Sequence, residues 1–468
     1  MMRAALRVEG WPRGLLIVLC LGRLWAQGPA PDPRTVALAG AITSLSEGIH
    51  AVGFNPARLA YSSKDLSISL AGLTIGLENN LLSLENYNLV NGADFIDSTS
   101  ARFLNKQEFL DGLPSDGLRL KTSLHMPLPG LNWARGTTAF SSDLIIYGNL
   151  GLPKALFQLL MEGNPVGQEL DLSLDEEIIG VGEWGFSFAV PTGKMAFGVT
   201  LKYLQGLFYV GMDPDISSGD FRTDTSGFSG EGRYLLRRAV GGGGFGLDIG
   251  FATEESNGYS LGIALINAIG SIRWQGPSIT KDLFGDALHE ALGFRPNEYL
   301  LYTYRVRDVT ADAFLQGTDL DSLFENDSFG VLETETGLVA YDSLDSLALA
   351  AFVPKPFVTD YPALLRLGVS KRVENFGLIS ADLVTGFQDR LWSSRGWQLA
   401  LGAEIDRSPR FPLRMGARFS GAGVQQVGVG FGLHTGILQF DFALALHNGL
   451  WIHTTKGVSL AFSLTFVR

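Results

Sequence analysis

The sequence predicts an all-β fold, namely a transmembrane antiparallel β-barrel of about 14 strands with a small N-terminal plug and short helices in its outer loops. Two observations support this prediction. Short segments place large apolar side chains at every second position, with Gly, Ala, Ser or Thr between them. The mean hydropathy is also positive, although no apolar stretch is long enough to form a spanning helix. A barrel accounts for both observations because its lipid-facing and lumen-facing residues alternate.

The alternation is clearest near the C-terminus, where Val458, Leu460, Phe462, Leu464 and Phe466 are separated by small residues. The same period of two indicates fourteen candidate strands along the chain. They lie near residues 65–77, 117–126, 136–148, 184–190, 195–203, 245–251, 259–265, 364–373, 376–387, 397–405, 413–419, 427–433, 438–446 and 458–466. An even number returns the C-terminus to the rim at which the first strand begins.

The predicted connections alternate between short and long, as expected when one rim of a barrel carries turns and the other carries loops. Short links fall near residues 127–135, 192–193, 254–258, 374–375, 406–412 and 434–436. Long links fall near residues 78–116, 149–182, 205–243, 267–363, 388–395 and 447–456, and the link near 421–424 is brief although it lies on the long-loop side. Within the long links, residues 154–162 and 281–293 have helical patterns, which indicate packing on the barrel rim or a lid over the pore.

A soluble sandwich of two sheets would show the same alternation, but its outward positions would be rich in Lys and Glu. Here those positions carry mostly Gly, Ala, Ser and Thr. Small residues suit a lumen or a contact with a plug, so the membrane barrel is favoured. We expect the lining of the lumen to be small and weakly charged, unlike the constriction of a general porin.

The N-terminus has the layout of an export signal. Three arginines precede an apolar run over residues 15–21 that is too short to span a membrane. Cleavage is predicted after Ala26, so that residues 1–26 form the signal peptide. Cys20 is the only cysteine of the chain and lies in this segment. The mature chain would then hold no disulfide and no thiolate, which excludes cysteine nucleophiles and thiolate metal sites.

Residues 27–62 form the predicted plug, or hatch, and precede a predicted barrel over residues 63–468 that has a long loop insertion at about 267–363. Small residues are followed by a turn and by the segment Phe54-Asn55-Pro56-Ala57-Arg58-Leu59-Ala60. This pattern resembles the plug region of the outer-membrane long-chain fatty-acid transporters, the type IX secretion shuttle (PorV-like) proteins and the conjugation-associated TraF-like barrels. The resemblance implies a fourteen-stranded barrel in the bacterial outer membrane, with its plug in the lumen.

The candidate site residues are Phe54, Asn55, Pro56 and Ala57, which form a plug turn with a structural or gating role. Asn tolerates unusual backbone angles and Pro fixes φ, so this sequence favours a turn in any context. An ordinary turn that packs the plug is therefore the alternative interpretation. The sequence identifies no ligand-binding residue.

No catalytic motif is predicted, and we expect neither enzyme activity nor a cofactor. The segment Gly258-Tyr-Ser260-Leu-Gly262 has the spacing of a nucleophile elbow, but it lies within an alternating strand rather than at a strand-to-helix turn. The glycine run over residues 241–246 lacks the lysine and the following helix of a phosphate-binding loop.

No metal site is predicted either. The six histidines lack ligand spacing, and we expect them to face solvent or the membrane interface. Oxygen ligands for Ca²⁺ are available in the acidic stretch 308–346, but EF-hand spacing is absent and a solvated loop is expected. The carboxylates concerned are Asp319, Asp321, Glu325 and Asp327 in that stretch, and Asp213, Asp215 and Asp220 before it. The net charge of -12 argues against a nucleic-acid partner.

Two functions follow from the predicted barrel and the resemblance. The first is passive passage or binding of a small hydrophobic compound, with rearrangement of the plug. The alternative is a scaffold or docking barrel for a secretion or conjugation machinery. The implied partners are the lipid bilayer, a hydrophobic small molecule in the first case and secretion-machinery proteins in the second. An outer-membrane hydrolase is a third class, but no spacing of Ser, His and acidic residues supports it.

Overall fold

The computed structural model describes residues 30–225, 227–293, 295–310, 324–421 and 423–468. The predicted signal peptide with Cys20, together with Asp319 and Asp321, lies outside the described residues. The described part of the chain forms 21 strands in one sheet. They are β1 (Leu66–Asn79), β2 (Leu118–Pro127), β3 (Asn132–Arg135), β4 (Thr138–Leu152), β5 (Glu169–Asp171), β6 (Asp175–Thr192), β7 (Met195–Met212), β8 (Ser218–Thr223), β9 (Gly227–Thr253), β10 (Tyr259–Trp274), β11 (Tyr299–Thr310), β12 (Phe324–Thr334), β13 (Gly337–Ala340), β14 (Phe357–Asp360), β15 (Leu364–Val373), β16 (Gly377–Gly386), β17 (Gln398–Ile405), β18 (Leu413–Ser420), β19 (Gly423–His434), β20 (Leu438–His447) and β21 (Gly457–Val467).

The wall is a closed antiparallel barrel with fourteen strand positions, which confirms the predicted fold class. β2 and β3 together occupy one position, and β14 and β15 together occupy another. The barrel closes where β1 pairs with β21, from Ser67 opposite Val467 to Glu78 opposite Gly457. Closure pairs the backbone N–H and C=O groups that an open sheet edge would expose to lipid.

All fourteen predicted strands coincide with wall positions, because the alternation of large and small side chains separates the two faces of the wall. Phe245 and Ile263 point outward and are exposed, Phe245 to 72%. Asp248 and Ala264, on the same two strands, are buried. The outward apolar band is the surface that a hydrocarbon core requires.

Two predicted connections are wrong. The link near 127–135 contains the short strand β3, so the turn to β4 is confined to residues 136–137. The long link near 205–243 is mostly strand, since β7 continues to Met212 and β9 begins at Gly227. Where a strand extends beyond the hydrocarbon region, its outward residues no longer need to be apolar. The alternation of large apolar and small residues is then lost, so the sequence does not reveal these strand ends.

The same sheet extends beyond the barrel on the side of the long loops, and we call this extension the outer sheet. Its order is β5, β8, β9, β11, β12, β13, and each neighbouring pair is antiparallel. β9 has 27 residues and takes part in both the wall and this outer sheet. Glu325 and Asp327 lie on β12, so the expectation of a solvated loop is wrong for this part of the acidic stretch.

The helices of the described residues are short. They are α1 (Pro33–Ala37), α2 (Leu84–Val90), α3 (Lys106–Gly112), α4 (Lys154–Glu162), α5 (Ile279–Phe284), α6 (Ala287–Ala291) and α7 (Ser346–Ala351), with 3₁₀ turns η1 (Gly48–Ala51), η2 (Pro56–Tyr61) and η3 (Tyr341–Ser343). Among the described residues, no helix combines the length and the apolar character needed to cross a membrane.

Both predicted loop helices exist, but the second is divided. α4 matches its predicted range, ends before Gly163, and packs on the buried loop residues Leu110 and Leu113 through Phe157. The segment 281–293 forms parts of α5 and α6, because Gly285 adopts a positive φ of 50° between them. The apolar stripe of this segment is largely exposed rather than packed on the barrel.

The hatch, residues 30–62, lies inside the barrel on the side of the short turns. α1 contacts strands β18 to β21, η1 contacts β1, β3 and β4, and η2 contacts β6, β7 and β9. Asp32 caps α1 by accepting a hydrogen bond from the backbone N–H of Thr35 at 2.7 Å. The hatch therefore touches most of the wall at this level.

Wall glycines make room for the hatch backbone. A Cβ on Gly198 of β7 would lie 2.2 Å from the backbone nitrogen of Ala57, and one on Gly250 of β9 would lie 2.2 Å from Asn55 Oδ1. Neither distance is compatible with a side chain. Many of the 58 glycines of the chain are thus small inward positions that permit close approach of the hatch.

We predict that Gly198→Ala destabilises the protein by about 1–3 kcal/mol, since the added methyl group overlaps backbone atoms of the hatch. Gly182→Ala is the matched control, because its Cβ would meet only Gln205, with Cβ at 3.7 Å and the carbonyl oxygen at 3.9 Å, which are ordinary contact distances. The free energy of unfolding in detergent, measured by urea titration, checks the difference, and trypsin cleavage within the hatch reports whether it undocks. Equal stability of the two variants would contradict the fit of the hatch to the wall.

Candidate functional site: the hatch and the interrupted wall

A buried acid–base pair on β15 and β16 anchors the hatch. Arg366 Nη2 lies 3.3 Å from Asp382 Oδ2, and both side chains are almost fully buried. Asp382 accepts hydrogen bonds from the backbone N–H groups of Ile42 (3.1 Å) and Thr43 (2.9 Å), and from Thr43 Oγ1 (2.5 Å). Arg366 donates to Thr43 Oγ1 (2.9 Å) and to the carbonyl oxygen of Gly40 (2.6 Å). The pair therefore satisfies three hatch backbone groups that are shielded from water.

A second anchor is a row of alternating charges that crosses β17 to β20. Arg34 of α1 donates to Glu404 from Nε (2.9 Å) and from Nη2 (3.0 Å). Glu404 also accepts from Arg414 Nε at 2.6 Å. Arg414 in turn contacts Asp441, and His434 Nε2 lies 3.1 Å from the same carboxylate. Because each charge has an opposite neighbour, the row is compatible with burial.

The predicted site residues lie at the interface of hatch and wall. Asn55 Nδ2 donates to the carbonyl oxygens of Thr43 and Phe251, each at 3.0 Å. Asn55 Oδ1 accepts from the backbone N–H of Ala57 and so caps η2, with Pro56 in its first turn. The turn connects two parts of the hatch to β9. These contacts hold the turn at the interface of hatch and wall, and its structural or gating role stays a prediction.

The wall is interrupted beside β1. β1 pairs with β2 through Thr74–Asn79 and with β3 through Leu66–Ser69. Residues 70–73 have no strand partner on that side, because residues 128–131 leave the sheet between β2 and β3. This segment includes Pro129, which has no N–H to offer a neighbouring strand. We call residues 70–73 and 128–131 the wall gap.

A cavity of about 60 Å³, the gap cavity, lies between the hatch and the wall gap. Val52 and Phe54 line it on the hatch side, and Leu73 and Phe462 line it at the wall. Leu73 and Phe462 are opposite each other on the outward face of β1 and β21. The gap cavity therefore extends from the lumen to the apolar outer face. Of the four predicted site residues, Phe54 alone lines it.

A second cavity of about 200 Å³, the rim cavity, lies between the hatch and strands β17 to β21 near the short turns. The two cavities share four lining residues, Asp32, Pro33, His50 and Ser463. His50 Nδ1 lies 2.7 Å from Asp32 Oδ2. Burial opposes both charges, but the pairing outweighs it, so the pKa of the His50 imidazole is raised and the pKa of the Asp32 carboxyl is lowered.

At the opposite, long-loop rim the barrel opens into a vestibule of about 640 Å³. Its lining is polar except for a few side chains, among them Tyr209 and Phe357. Ion pairs occupy its walls, namely Arg119 with Asp175, Arg390 with Glu177, and Arg237 with Asp213. A solute that enters from this side therefore meets a charged mouth.

A buried cluster adjoins the vestibule, since Leu391 and Ser393, the neighbours of Trp392, line that cavity. Trp392 packs on Tyr361 with ring centroids 4.6 Å apart, and Tyr361 Oη donates to Glu183 at 2.8 Å. Lys202 Nζ lies 2.9 Å from Glu183 and 3.0 Å from Asp248. Glu183 also lines the gap cavity. The cluster therefore lies between side chains that line the vestibule and a side chain that lines the gap cavity.

The prediction of a weakly charged lumen lining is wrong. Lys202, Arg366, Arg414 and Arg418 are buried on the inward face of the wall. Arg418 Nε donates to the carbonyl oxygen of Ala39 in the hatch at 2.9 Å. These anchors could have been predicted from the sequence, because each is a charged residue at an inward position of a strand that otherwise alternates large apolar and small residues. Most inward positions carry small residues, so the few charged ones had little effect on the average composition from which a weakly charged lining was predicted.

The prediction that the histidines face solvent or the membrane interface is wrong for His289, which is buried in α6, and for the lumen histidines His50, His125, His434 and His447. All four point into the lumen, where His125 Nε2 lies 3.0 Å from Asp143. Within the described residues no group of three or more His, Cys, Asp or Glu side chains is arranged to hold a metal ion. Ser260 is buried on β10, where no helix follows to form a nucleophile elbow.

The closed wall, its apolar outer face and the hatch in its lumen define an outer-membrane-type β-barrel. The model of a family of unknown function (DUF5723) matches residues 56–294, more than half of the chain. The chain belongs to this family. No curated protein matches it.

Solved structures share the fold at low sequence identity. A TodX monoaromatic hydrocarbon channel deltaS2 mutant is 11% identical with a TM-score of 0.50, over 94% of this chain and 97% of that chain. The Ralstonia pickettii toluene transporter TbuX is 12% identical with a TM-score of 0.49, over 94% and 98% of the two chains. A Pseudomonas aeruginosa FadL homologue is 12% identical with a TM-score of 0.45, over 94% and 99%. The likeness concerns the fold, and the resemblance to secretion shuttle and TraF-like barrels stays a prediction.

We predict that Asp382→Asn destabilises the protein by about 3–5 kcal/mol, because Arg366 keeps a buried charge without its partner. Adding Arg366→Met should recover part of this loss, since both charges are then absent. Asp406→Asn is the control, as its ion pair with Arg372 is exposed and should contribute about 0–1 kcal/mol. Urea unfolding in detergent measures all three variants. A double variant less stable than Asp382→Asn would refute the proposed origin of the loss.

Proposed function

We propose that this chain is a barrel of the bacterial outer membrane that binds a small hydrophobic compound and allows its passive passage. The observation that carries the proposal is the gap cavity, which joins the hatch to the apolar outer face through the wall gap. Phe54 supplies its apolar surface on the hatch side, and Leu73 and Phe462 supply it at the wall. A hydrophobic compound that moves between the gap cavity and the bilayer through the wall gap stays in apolar surroundings. It therefore avoids the free-energy cost of entering bulk water.

Passage requires the hatch to move. The gap cavity of about 60 Å³ is far below the roughly 300 Å³ or more of an ordinary small-molecule site. We propose that the turn of Phe54, Asn55, Pro56 and Ala57 acts in gating, since a shift of Phe54 would enlarge the cavity. No energy source is required, because the compound moves down its own concentration gradient.

The same proposal assigns the remaining parts of the chain. Residues 1–26 would be the signal peptide for export, residues 27–62 the hatch and residues 63–468 the barrel with its long loop insertion at about 267–363. The solved structure described as a monoaromatic hydrocarbon channel suggests a monoaromatic compound as the first probe. Toluene is therefore a suitable test compound.

A non-transport scaffold for a secretion or conjugation machinery is the second candidate. The observation that favours it is the dense anchoring of the hatch, together with the buried cluster that lies between the vestibule and the gap cavity. A barrel held in this state would offer surfaces to partner proteins and pass nothing. Toluene uptake in excess of that of protein-free liposomes separates the two functions, because a scaffold adds nothing to the passage of toluene through the lipid itself.

We predict that a reversible disulfide across the wall gap stops uptake. Gly72 and Pro127 are suitable positions, because a Cβ on Gly72 would lie 2.8 Å from Pro127 Cγ. The pair Gly72→Cys and Pro127→Cys, in a Cys20→Ser background, should slow toluene uptake into proteoliposomes several-fold under oxidising conditions. Reduction should restore it, since the strands regain their freedom to separate. The uptake rate of labelled toluene, with and without reductant, checks this.

The control is a disulfide in an intact part of the wall. Ala403 and Met415 face each other on β17 and β18, within the distance that a disulfide can bridge. Ala403→Cys with Met415→Cys should leave uptake unchanged in both redox states. Equal uptake with both disulfides would exclude the wall gap as the route. Absence of toluene uptake and toluene binding in the unmodified protein would favour the scaffold.

A further inference from the structure

We infer that the gap cavity has a second, polar exit toward the short-turn rim, and that the ion pair of Asp32 and His50 closes it. The inference rests on the proposed function, in that the gap cavity is the site a solute occupies. It adds a route that does not lead into the bilayer.

The first argument is the position of the two cavities. The gap cavity and the rim cavity are both bounded by Asp32, Pro33, His50 and Ser463. Such sharing means that these side chains stand between the cavities as a thin partition. If one of these side chains moved, the gap cavity of about 60 Å³ would be joined to the rim cavity of about 200 Å³.

The second argument is the asymmetry of the partition. Asp32 is held in place, because its Oδ1 caps α1 and its neighbour Pro33 begins that helix. His50 is held on one side by Asp32 at 2.7 Å and touches the wall at Thr465 Oγ1 only at 3.5 Å. Its side chain is 29% exposed. The imidazole is therefore the part of the partition that can turn away.

The third argument is the chemistry of the rim cavity. Its lining is rich in charged side chains, namely Asp32, Arg34, Glu47, Lys64, Glu404, Arg414 and Asp441, with His50 and His434. Such a lining suits water, small ions or the polar group of an amphipathic solute, and disfavours a bare hydrocarbon. The exit is thus selective for polar groups, whereas the wall gap is selective for apolar ones.

The closing interaction depends on pH. Burial lowers the pKa of His50, but the Asp32 charge and hydrogen bond outweigh it, and the pKa of the imidazole ends above its usual value. Asp441 acts in the same direction and Arg34 in the opposite one. The ion pair is fully formed below the ordinary histidine pKa and is lost as the pH rises through the raised value. The exit therefore opens on the alkaline side.

Other titratable groups face the same space. Around the rim cavity they are Arg34, Glu47, Lys64, Glu404, Arg414, His434 and Asp441, and around the gap cavity they are His125, Asp143 and Glu183. Of these, His125 and His434 are the other histidines. A test must therefore separate the titration of His50 from theirs.

The test measures access of a charged reagent to a cysteine in the gap cavity. Ser141 lines that cavity, and its buried Oγ makes no hydrogen bond, so Ser141→Cys in a Cys20→Ser background costs little. The probe is a cationic methanethiosulfonate that carries a trimethylammonium group. In detergent micelles the wall gap faces the apolar interior of the micelle, and the buried cluster lies between the vestibule and the gap cavity. The reagent must then arrive through the rim cavity.

At pH 6 we expect His50→Ala and Asp32→Asn to raise the labelling rate several-fold over the parent. Asparagine still caps α1 in the second variant, so the hatch helix is retained. His447→Ala is the matched control, because His447 is a buried lumen histidine hydrogen-bonded to Ser459 that lines neither cavity. Equal rates in His50→Ala and His447→Ala would overturn the inference.

The pH arm uses His50→Lys, which keeps the cation beside Asp32 and stays charged up to high pH. The ratio of the parent rate to the His50→Lys rate removes the intrinsic reactivity of the thiolate. This ratio should rise several-fold from pH 6 to pH 9. If this ratio did not change with pH, the pH dependence of labelling would come from another group. The inference that the ion pair of Asp32 and His50 closes the exit would then be wrong. Toluene uptake is measured separately, so a failure of the proposed function and a failure of the exit can be told apart.

Discussion

The hatch and the wall satisfy each other's buried polar groups, and the rest of the structure depends on this mutual satisfaction. Asp382, Arg366 and Arg418 point inward where no water is at hand, and the hatch carries backbone N–H and C=O groups in the same space. Either partner alone would leave charges or backbone groups without hydrogen bonds. The hatch is therefore a structural complement of the wall rather than a loose insert.

This complementarity explains why the inward face of the wall carries both long charged side chains and glycines. The wall needs long charged side chains where it holds the hatch, and it needs glycine where the hatch backbone approaches. Gly416 and Arg418 on β18 show both at positions that share the inward face, since a Cβ on Gly416 would overlap Leu38 while Arg418 binds Ala39. A lumen built in this way fixes the hatch in position and register.

Two of the irregular places in the wall differ in how well they are sealed. β10 bulges near Asn267, but Asn267 Nδ2 donates to the carbonyl of Pro362 at 3.2 Å and the Tyr361 N–H donates to Gly270 at 3.0 Å. Side chain and backbone together keep that place closed. Beside β1, residues 70–73 have no comparable strand partner, and a cavity lies behind them. The contrast makes the wall gap the weaker part of the barrel.

The sequence allowed prediction of the fourteen wall positions, because alternation of large and small side chains is a local property of each strand. It did not allow prediction of the anchors. Arg366 and Asp382 are adjacent only after β15 and β16 pair, and Thr43 joins them from more than 300 positions earlier in the chain. One half of the wall gap could be predicted, since Pro127 and Pro129 interrupt a strand. The other half, residues 70–73 of β1, could not be predicted because it depends on the register in which the strands pair. The outer sheet was missed because its strands lack a lipid-facing side.

The order of the chain has a consequence for biogenesis. The hatch precedes the wall strands in the chain, yet several side chains that anchor it, from Arg366 to Arg418, belong to the last third of the polypeptide. Until those hairpins are inserted, Gly40, Ile42 and Thr43 of the hatch lack the side chains that satisfy their backbone groups. Complete docking of the hatch therefore requires these hairpins, so a barrel that lacks them cannot hold its hatch in place.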